Sequence, residues 1–229
     1  PLSMQQIIVD MREGNDQPDL HKVTHIEGRT VRQLSKLLGD TFSLFTTEEF
    51  FALAEPYEGK LFPETYFIPP DYTAEEVLEI FLQTYNEVRK EYATAIAEHN
   101  LSEDEIIILA SILEREANTE KSMRMVSGIL QNRLAIGMAL QADATIGYVL
   151  DKPLSELTAE DLEMDSPYNT YLYPGLPPTP IGNPGRQAIE AVLDPIPSKN
   201  MYYITGNDGN FYYAETFAEH RQNIVNHLQ

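Results

Sequence analysis

The chain has 229 residues, enough for one large or two modest domains, and its 36 acidic and 16 basic residues give a net charge of −20. That charge argues against nonspecific binding to nucleic acid or to an anionic membrane, since both need clustered basic side chains. The absence of cysteine excludes disulfides, thiolate metal sites and cysteine catalysis. No run approaches the roughly 20 apolar residues that cross a bilayer. Because the chain begins at Pro1, we expect a fragment of a longer product whose N-terminal anchor or signal lies upstream.

The first third of the chain predicts a small α+β module. Three segments have the composition and alternation of strands: residues 5–11, 22–26 and 61–68. Thr30 is the expected N-cap of a short helix that ends at Gly39. A second short helix is expected to begin at Thr46 or Thr47 and to run through residue 53. The order strand, helix, helix, strand follows from residue 22 onward.

The remaining two thirds predict mainly helices. Two capping boxes open helices, Thr73 with Glu76 and Ser102 with Glu105. The second of these helices is apolar on nearly every side, so we expect it at the centre of a core. A helix is predicted over 120–136, ended by Gly137, and a proline-rich loop over 165–185. The Asn183–Pro184 pair is expected to begin a helix that runs to residue 193. A hairpin of 201–204 with 211–214 and a closing helix over 217–228 complete the chain.

Glu114 is the first candidate for chemistry. It follows Ile107 and Ala110 at helical spacing, so a carboxyl stands at the end of an apolar stripe. Loss of solvent there would raise its pKa, which suits a general acid. Glu116 lies about 200° further round the helix, so the two carboxyls cannot share a proton. The alternative is that Glu114 is a surface residue paired with a neighbouring cation.

A second candidate region combines polar side chains with tyrosines on a loop stiffened by prolines. Its residues are Gln141, Asp143, Tyr168, Asn169, Thr170 and Tyr171. Amides and hydroxyls hydrogen-bond to sugars and tyrosine rings stack on them, so this combination suits a sugar-binding cleft. The alternative is structural, with Asp143 capping a helix, Asn169 stabilising a turn and the tyrosines filling a core. The scattered histidines and the lack of known metal motifs predict neither a metal site nor a cofactor.

A series of blocks resembles, in order, the MltG or YceG-like endolytic murein transglycosylases. The blocks are EGKLFPETY (58–66), ASILERE (110–116), NRLAIGM (132–138), LQAD (140–143), YNTY (168–171), GLPP (175–178) and NPG (183–185). Two departures stand out, since Ala144 replaces the usual proline after LQ-x-D and Arg221 follows His220 where asparagine is common.

This resemblance implies a LysM-like βααβ module over residues 1–71 and a mainly helical, lysozyme-like transglycosylase domain with a β-hairpin over 72–229. It implies endolytic cleavage of the MurNAc–GlcNAc β-1,4 bond in peptidoglycan, with formation of 1,6-anhydro-MurNAc and a role in ending glycan strands. We expect Glu114 to perform both proton transfers and Glu116 to have a supporting role. Gln141, Asp143 and the YNTY side chains would contact the substrate.

The resemblance also implies a bacterial inner-membrane protein with one membrane-spanning segment and its catalytic domain in the periplasm. Peptidoglycan strands are the expected partner, and peptidoglycan synthases are plausible partners by family analogy. Two other functions stay open at this point. Water in place of the C6 hydroxyl would make the chain a muramidase, and a chain without catalysis would be a peptidoglycan-binding or scaffold protein.

Overall fold

The computed structural model describes residues 19–228, and the strand predicted over 5–11 lies outside that range. The N-terminal module has the predicted order of strand, helix, helix and strand. Its elements are β1 (His21–Thr24), α1 (Val31–Thr41), α2 (Thr47–Ala54), a short 3-10 helix (Glu55–Tyr57) and β2 (Thr65–Ile68). The two strands pair antiparallel, with His21 opposite Ile68 and Thr24 opposite Thr65.

The structure corrects the predicted end of α1. The helix passes through Gly39 and ends at Thr41. A Cβ at Gly39 would lie 2.4 Å from Thr47 Oγ1 and 2.6 Å from the Thr47 backbone nitrogen. The glycine is therefore needed because α1 and α2 approach each other closely there, and it does not terminate the helix.

Strand β2 is shorter than predicted, since only residues 65–68 of the segment 61–68 pair with β1. The Leu61 N–H donates instead to Asn183 Oδ1 at 2.9 Å, and Pro63 has no N–H to donate. The segment before β2 is thereby held against the C-terminal half of the chain.

The C-terminal half is mainly helical. Its elements are α3 (Ala74–Glu91), α4 (Ala93–Glu98), α5 (Glu103–Glu116), α6 (Glu120–Ala135), α7 (Asp143–Leu150), two 3-10 turns (Leu154–Glu156 and Asp161–Glu163), α8 (Arg186–Leu193), β3 (Tyr202–Thr205), β4 (Phe211–Ala214) and α9 (Phe217–His227). The predicted capping boxes of α3 and α5 are present. Gly137 ends α6 with φ +68°, as predicted. Strands β3 and β4 form the predicted antiparallel hairpin.

Two hydrophobic cores share helix α3. Val77 and Phe81 belong to the core of the N-terminal module, whereas Tyr85 and Val88 belong to the larger C-terminal core. Helix α5 is buried without interruption from Ile106 to Leu113, which confirms its predicted central position. An α+β architecture is thus confirmed, while the likeness to LysM stays a prediction. Within residues 19–228, no helix has both the length and the apolar composition needed to cross a membrane.

The start of α8 differs from the prediction, because the helix begins at Arg186 with Gly185 as its N-cap. Asn183 is fully buried and joins the two halves of the chain. Its side-chain amide donates to the Arg29 carbonyl at 2.9 Å. Its backbone N–H donates to the same carbonyl at 3.1 Å, and its own carbonyl accepts from Gly28 N–H at 2.8 Å. An asparagine committed to these bonds is not available to cap a helix.

Candidate active site

The last turn of α5 carries three charged residues in a row, Glu114, Arg115 and Glu116. Successive helical residues lie about 100° apart, so the three side chains enter three different surroundings. Glu116 meets the start of α7 and the hairpin, Glu114 lines a groove beside the N-terminal module, and Arg115 lines a separate cavity.

The surroundings of Glu116 favour the protonated form of its carboxyl. Tyr203 of strand β3 donates its hydroxyl to Glu116 Oε2 at 2.9 Å. The other carboxyl oxygen, Oε1, is shielded from solvent and has no hydrogen-bond partner among the described residues. Burial raises the pKa of Glu116, the nearby charge of Asp143 raises it further, and the bond from Tyr203 partly opposes the rise.

Parts of two predicted cleft blocks converge on Glu116. Asp143 opens α7 next to it, and the Tyr171 hydroxyl donates to Asp143 Oδ1. The Gln141 N–H donates to the Thr170 carbonyl at 3.0 Å, which ties the two blocks together. Gln141 has φ +53° although it is not glycine. Backbone held in that region often marks a functional site.

The side chains of Asn169 and Thr170 point into the protein and bond to its backbone, contrary to the prediction that both contact a sugar. Both are buried, with exposed fractions of 0% and 2%. The Asn169 amide donates to the carbonyls of Leu162 and Met164 at 2.9 and 2.8 Å. Thr170 Oγ1 accepts from Ala142 N–H at 3.0 Å. Polar groups bonded in this way shape the loop and are not accessible to a ligand.

Glu114 lies apart from this cluster. It is half-buried and lines a groove of about 790 Å³ together with His25, Glu27 and Arg186. Its Oε2 accepts from Gly185 N–H at 2.9 Å. Burial raises the pKa of Glu114, as predicted; the Gly185 bond opposes the rise and the charge of Glu27 adds to it. This groove contains none of the predicted cleft side chains.

Tyr168 lines the separate cavity, of about 620 Å³, between the two halves of the chain. Its hydroxyl hydrogen-bonds to Thr179 Oγ1 at 2.7 Å, and its ring centroid lies 5.5 Å from that of Tyr148. Glu58 lies in the same wall and was not singled out from the sequence, although it opens the EGKLFPETY block. It is 8% exposed and accepts from Val31 N–H at 3.0 Å.

Glu58 makes the stability of the fold depend on pH. Burial raises its pKa to about 7 from 4.5, so the folded chain binds a proton that the unfolded chain releases. The stabilisation from Glu58 is complete below pH 4.5 and is lost as the pH rises through 7. We expect wild type to lose roughly 3 kcal/mol more stability than Glu58→Gln between pH 4.5 and 8. Urea unfolding at several pH values measures this difference, and parallel pH profiles would contradict it.

The described residues therefore define an α+β protein with two hydrophobic cores and, at the end of a central helix, a carboxyl with one oxygen shielded from solvent. The chain belongs to the YceG-like family, whose model matches residues 1–226. A Bacillus subtilis protein named endolytic murein transglycosylase is 32% identical over 195 residues, which are 84% of this chain and 53% of that protein. A protein of the same name from Streptococcus pneumoniae D39 is 28% identical, with 99% of this chain and 49% of that protein aligned.

The fold has a solved counterpart in a YceG-like protein from Listeria monocytogenes. That structure superposes with a TM-score of 0.81 at 29% identity, and the match covers 95% of this chain and 80% of the other. The chain spans about half the length of the curated relatives it matches.

Proposed function

We propose that this chain is the catalytic part of an endolytic murein transglycosylase, a lyase that cleaves the MurNAc–GlcNAc β-1,4 bond of peptidoglycan. Family membership and the names of the relatives support the class of reaction. The observation that carries the mechanism is the buried Glu116 carboxyl between Tyr203 and Asp143. Burial raises its pKa, which favours the protonated form that proton donation to a glycosidic oxygen requires.

One carboxyl suffices for the whole reaction. Protonated Glu116 gives its proton to the bridging oxygen, the bond to the MurNAc C1 breaks, and positive charge develops at that carbon. The C6 hydroxyl of the same sugar then attacks C1 while the Glu116 carboxylate takes the hydroxyl proton. A 1,6-anhydro ring forms, Glu116 regains its proton and no water is consumed, unlike hydrolysis by two carboxylates.

The neighbours of Glu116 have separate tasks in this scheme. Tyr203 orients the carboxyl through its hydrogen bond to Oε2 and leaves Oε1 for the substrate. The carboxylate of Asp143, held by Tyr171, supplies negative charge that stabilises the developing positive charge on the sugar. Because Oε1 is shielded from solvent here, glycan binding has to displace the side chains that cover it.

The choice of Glu116 departs from the sequence-based expectation, which gave both proton transfers to Glu114. Two observations favour Glu116: it is the carboxyl next to Asp143 and Tyr171 of the predicted cleft, and one of its oxygens is free. Backbone N–H groups favour the ionised form of both carboxyls, Gly185 for Glu114 and Ala144 for Glu116, but only Gly185 makes a hydrogen bond, at 2.9 Å. We assign Glu114 to the groove, where it contacts the glycan strand without transferring a proton.

We further propose that the N-terminal module acts as a LysM-like binder of N-acetylated glycans, and that the whole protein ends growing glycan strands outside the cytoplasm. Anchoring in the bacterial inner membrane with this part in the periplasm, and cooperation with peptidoglycan synthases, are parts of the same proposal. Their support is the family resemblance together with the relatives' names.

Mass spectrometry of fragments released from purified peptidoglycan tests the reaction. We expect wild type to release fragments with anhydro-muramoyl ends, which are lighter by one water than reducing ends. Reducing ends would instead identify a muramidase. Binding of the polymer without any product would identify a peptidoglycan-binding protein. Heat-treated protein is the control for background cleavage of the polymer.

A further inference from the structure

Arg115 is a half-buried cation for which the proposed reaction has no use. It stands between Glu114 and Glu116 at the end of α5, and its side chain lines the 620 Å³ cavity. Among residues 19–228, its guanidinium makes no hydrogen bond and no ion pair within 4 Å. The charges of Glu116, Glu58 and Asp151 act on it from further away. A guanidinium that lines a cavity without an ion pair of its own can pair with an anionic group of a ligand there.

The cavity around Arg115 is built by both halves of the chain. Thr30, Gln33 and Phe51 come from the N-terminal module, whereas Tyr148 and Tyr168 come from the C-terminal half. Its volume lies within the range of about 300–1,000 Å³ that is usual for sites of small ligands. Hydroxyls, an amide and aromatic rings thus surround the Arg115 guanidinium, which has no ion pair within residues 19–228.

The charges of the lining select among ligands. An arginine fork binds a carboxylate through two parallel hydrogen bonds. Lys152 is already paired with Asp161 at 3.0 Å, and the Arg32 guanidinium lies over the Phe51 ring at 4.8 Å. Glu55 and Asp151 add negative charge to the same lining. These carboxylates disfavour a polyanion such as a phosphorylated ligand. A short peptide suits the cavity better, because its carboxylate can pair with Arg115 and its ammonium group with Glu55 or Asp151.

We propose that this cavity binds the peptide substituent of the muramoyl residue and that Arg115 pairs with a carboxylate of that peptide. The inference rests on the proposed function, because it takes the substrate to be peptidoglycan. Tyr168 lines the cavity and lies three residues before Tyr171, whose hydroxyl bonds to Asp143 of the Glu116 cluster, and Arg115 itself is the residue before Glu116. Peptide-bearing strands would then be preferred to strands stripped of peptide.

Direct binding tests the site without relying on cleavage. The probes are a soluble muramoyl tripeptide and N-acetylmuramic acid, whose only carboxylate is that of the lactyl group. By titration calorimetry on Glu116→Gln protein, we expect the tripeptide to bind at least about tenfold more tightly. Adding Arg115→Gln should weaken tripeptide binding roughly 10- to 100-fold. The proposal would be overturned if the two probes bound with equal affinity, or if Arg115→Gln left the affinity for the tripeptide unchanged.

The second test compares the cleavage kinetics of glycan strands that carry peptides with those of strands stripped of peptides. For peptide-bearing strands we expect Arg115→Gln to raise KM with little change in kcat, and Arg115→Lys to recover part of the loss. For stripped strands KM should not change. Arg89→Gln makes the same chemical change at an exposed arginine of α3 and serves as the matched control. An equal rise in KM for both strands would overturn the proposal, whereas Arg115-dependent binding without any cleavage would refute only the proposed activity.

Discussion

Replacement of Glu116 by glutamine is expected to lower the rate of glycan cleavage by about 10²–10⁴-fold, the usual contribution of a positioned acid–base group. Glutamine keeps the size of the side chain and can still accept the Tyr203 hydroxyl, but it cannot donate or take up the proton. The measurement is the rate of appearance of anhydro-muramoyl ends. Because the pKa of Glu116 is raised by burial, a neutral amide in its place should leave the fold intact.

Glu114→Gln is the matched control for this prediction. It makes the same substitution two residues earlier on the same helix, at a carboxyl that lines the groove. We expect it to reduce cleavage by less than about tenfold, since only a contact in the groove is changed. A large loss in Glu114→Gln combined with a small loss in Glu116→Gln would restore the role that the sequence alone suggests for Glu114. Thermal unfolding of both variants separates loss of activity from loss of fold.

Asn183→Ala is expected to have the largest effect on stability. The amide of Asn183 accepts from Leu61 N–H, donates to the Arg29 carbonyl and reaches Glu58 Oε1 at 3.2 Å. Alanine removes all three bonds but leaves only the Leu61 N–H unpaired, because the Arg29 carbonyl keeps the backbone N–H of residue 183 and Glu58 Oε1 keeps the Val31 N–H. An unpaired buried N–H costs about 1–3 kcal/mol and each of the other two lost bonds about 0.5–1.5 kcal/mol, so we expect a total loss of about 3–5 kcal/mol. Urea unfolding followed by circular dichroism measures the free energy of unfolding.

The control for Asn183→Ala is Asn86→Ala, at an exposed position of helix α3. Surface substitutions of this kind usually change stability by no more than about 0.5 kcal/mol. A loss below about 1 kcal/mol in Asn183→Ala would show that water or a rearranged backbone replaces the missing bonds. The two halves of the chain would then be held together by their apolar contacts.

The sequence located the end of helix α5 as the place for chemistry, but it could not choose between the two carboxyls there. Helical periodicity places Glu114 at the end of an apolar stripe and Glu116 about 200° away. Which of them meets Asp143 and Tyr171 depends on how α7 and the hairpin pack against α5. That packing brings Tyr203, which was not a predicted site residue, within 2.9 Å of Glu116.

The same limit applies to the YNTY block. Its residue types fit contact with sugars and a structural role equally well. In the structure, Asn169 and Thr170 are buried and hydrogen-bonded to other parts of the protein. Tyr168 instead lines the cavity, and Tyr171 donates its hydroxyl to Asp143. Adjacent residues thus serve different purposes, because a tight turn directs neighbouring side chains to different sides of the backbone.

Local signals determined most of the secondary structure of this chain. Capping boxes, apolar periodicity and turn residues act over a few positions, so the starts of α1, α2, α3 and α5 and the C-terminal hairpin could be predicted from sequence. Only the tertiary structure decided why Gly39 lies inside a helix, why Asn183 caps none, and which carboxyl meets Tyr203 and Asp143. Each of these depends on groups distant in the chain, because close approach, buried hydrogen bonds and desolvation exist only once the two halves have packed together.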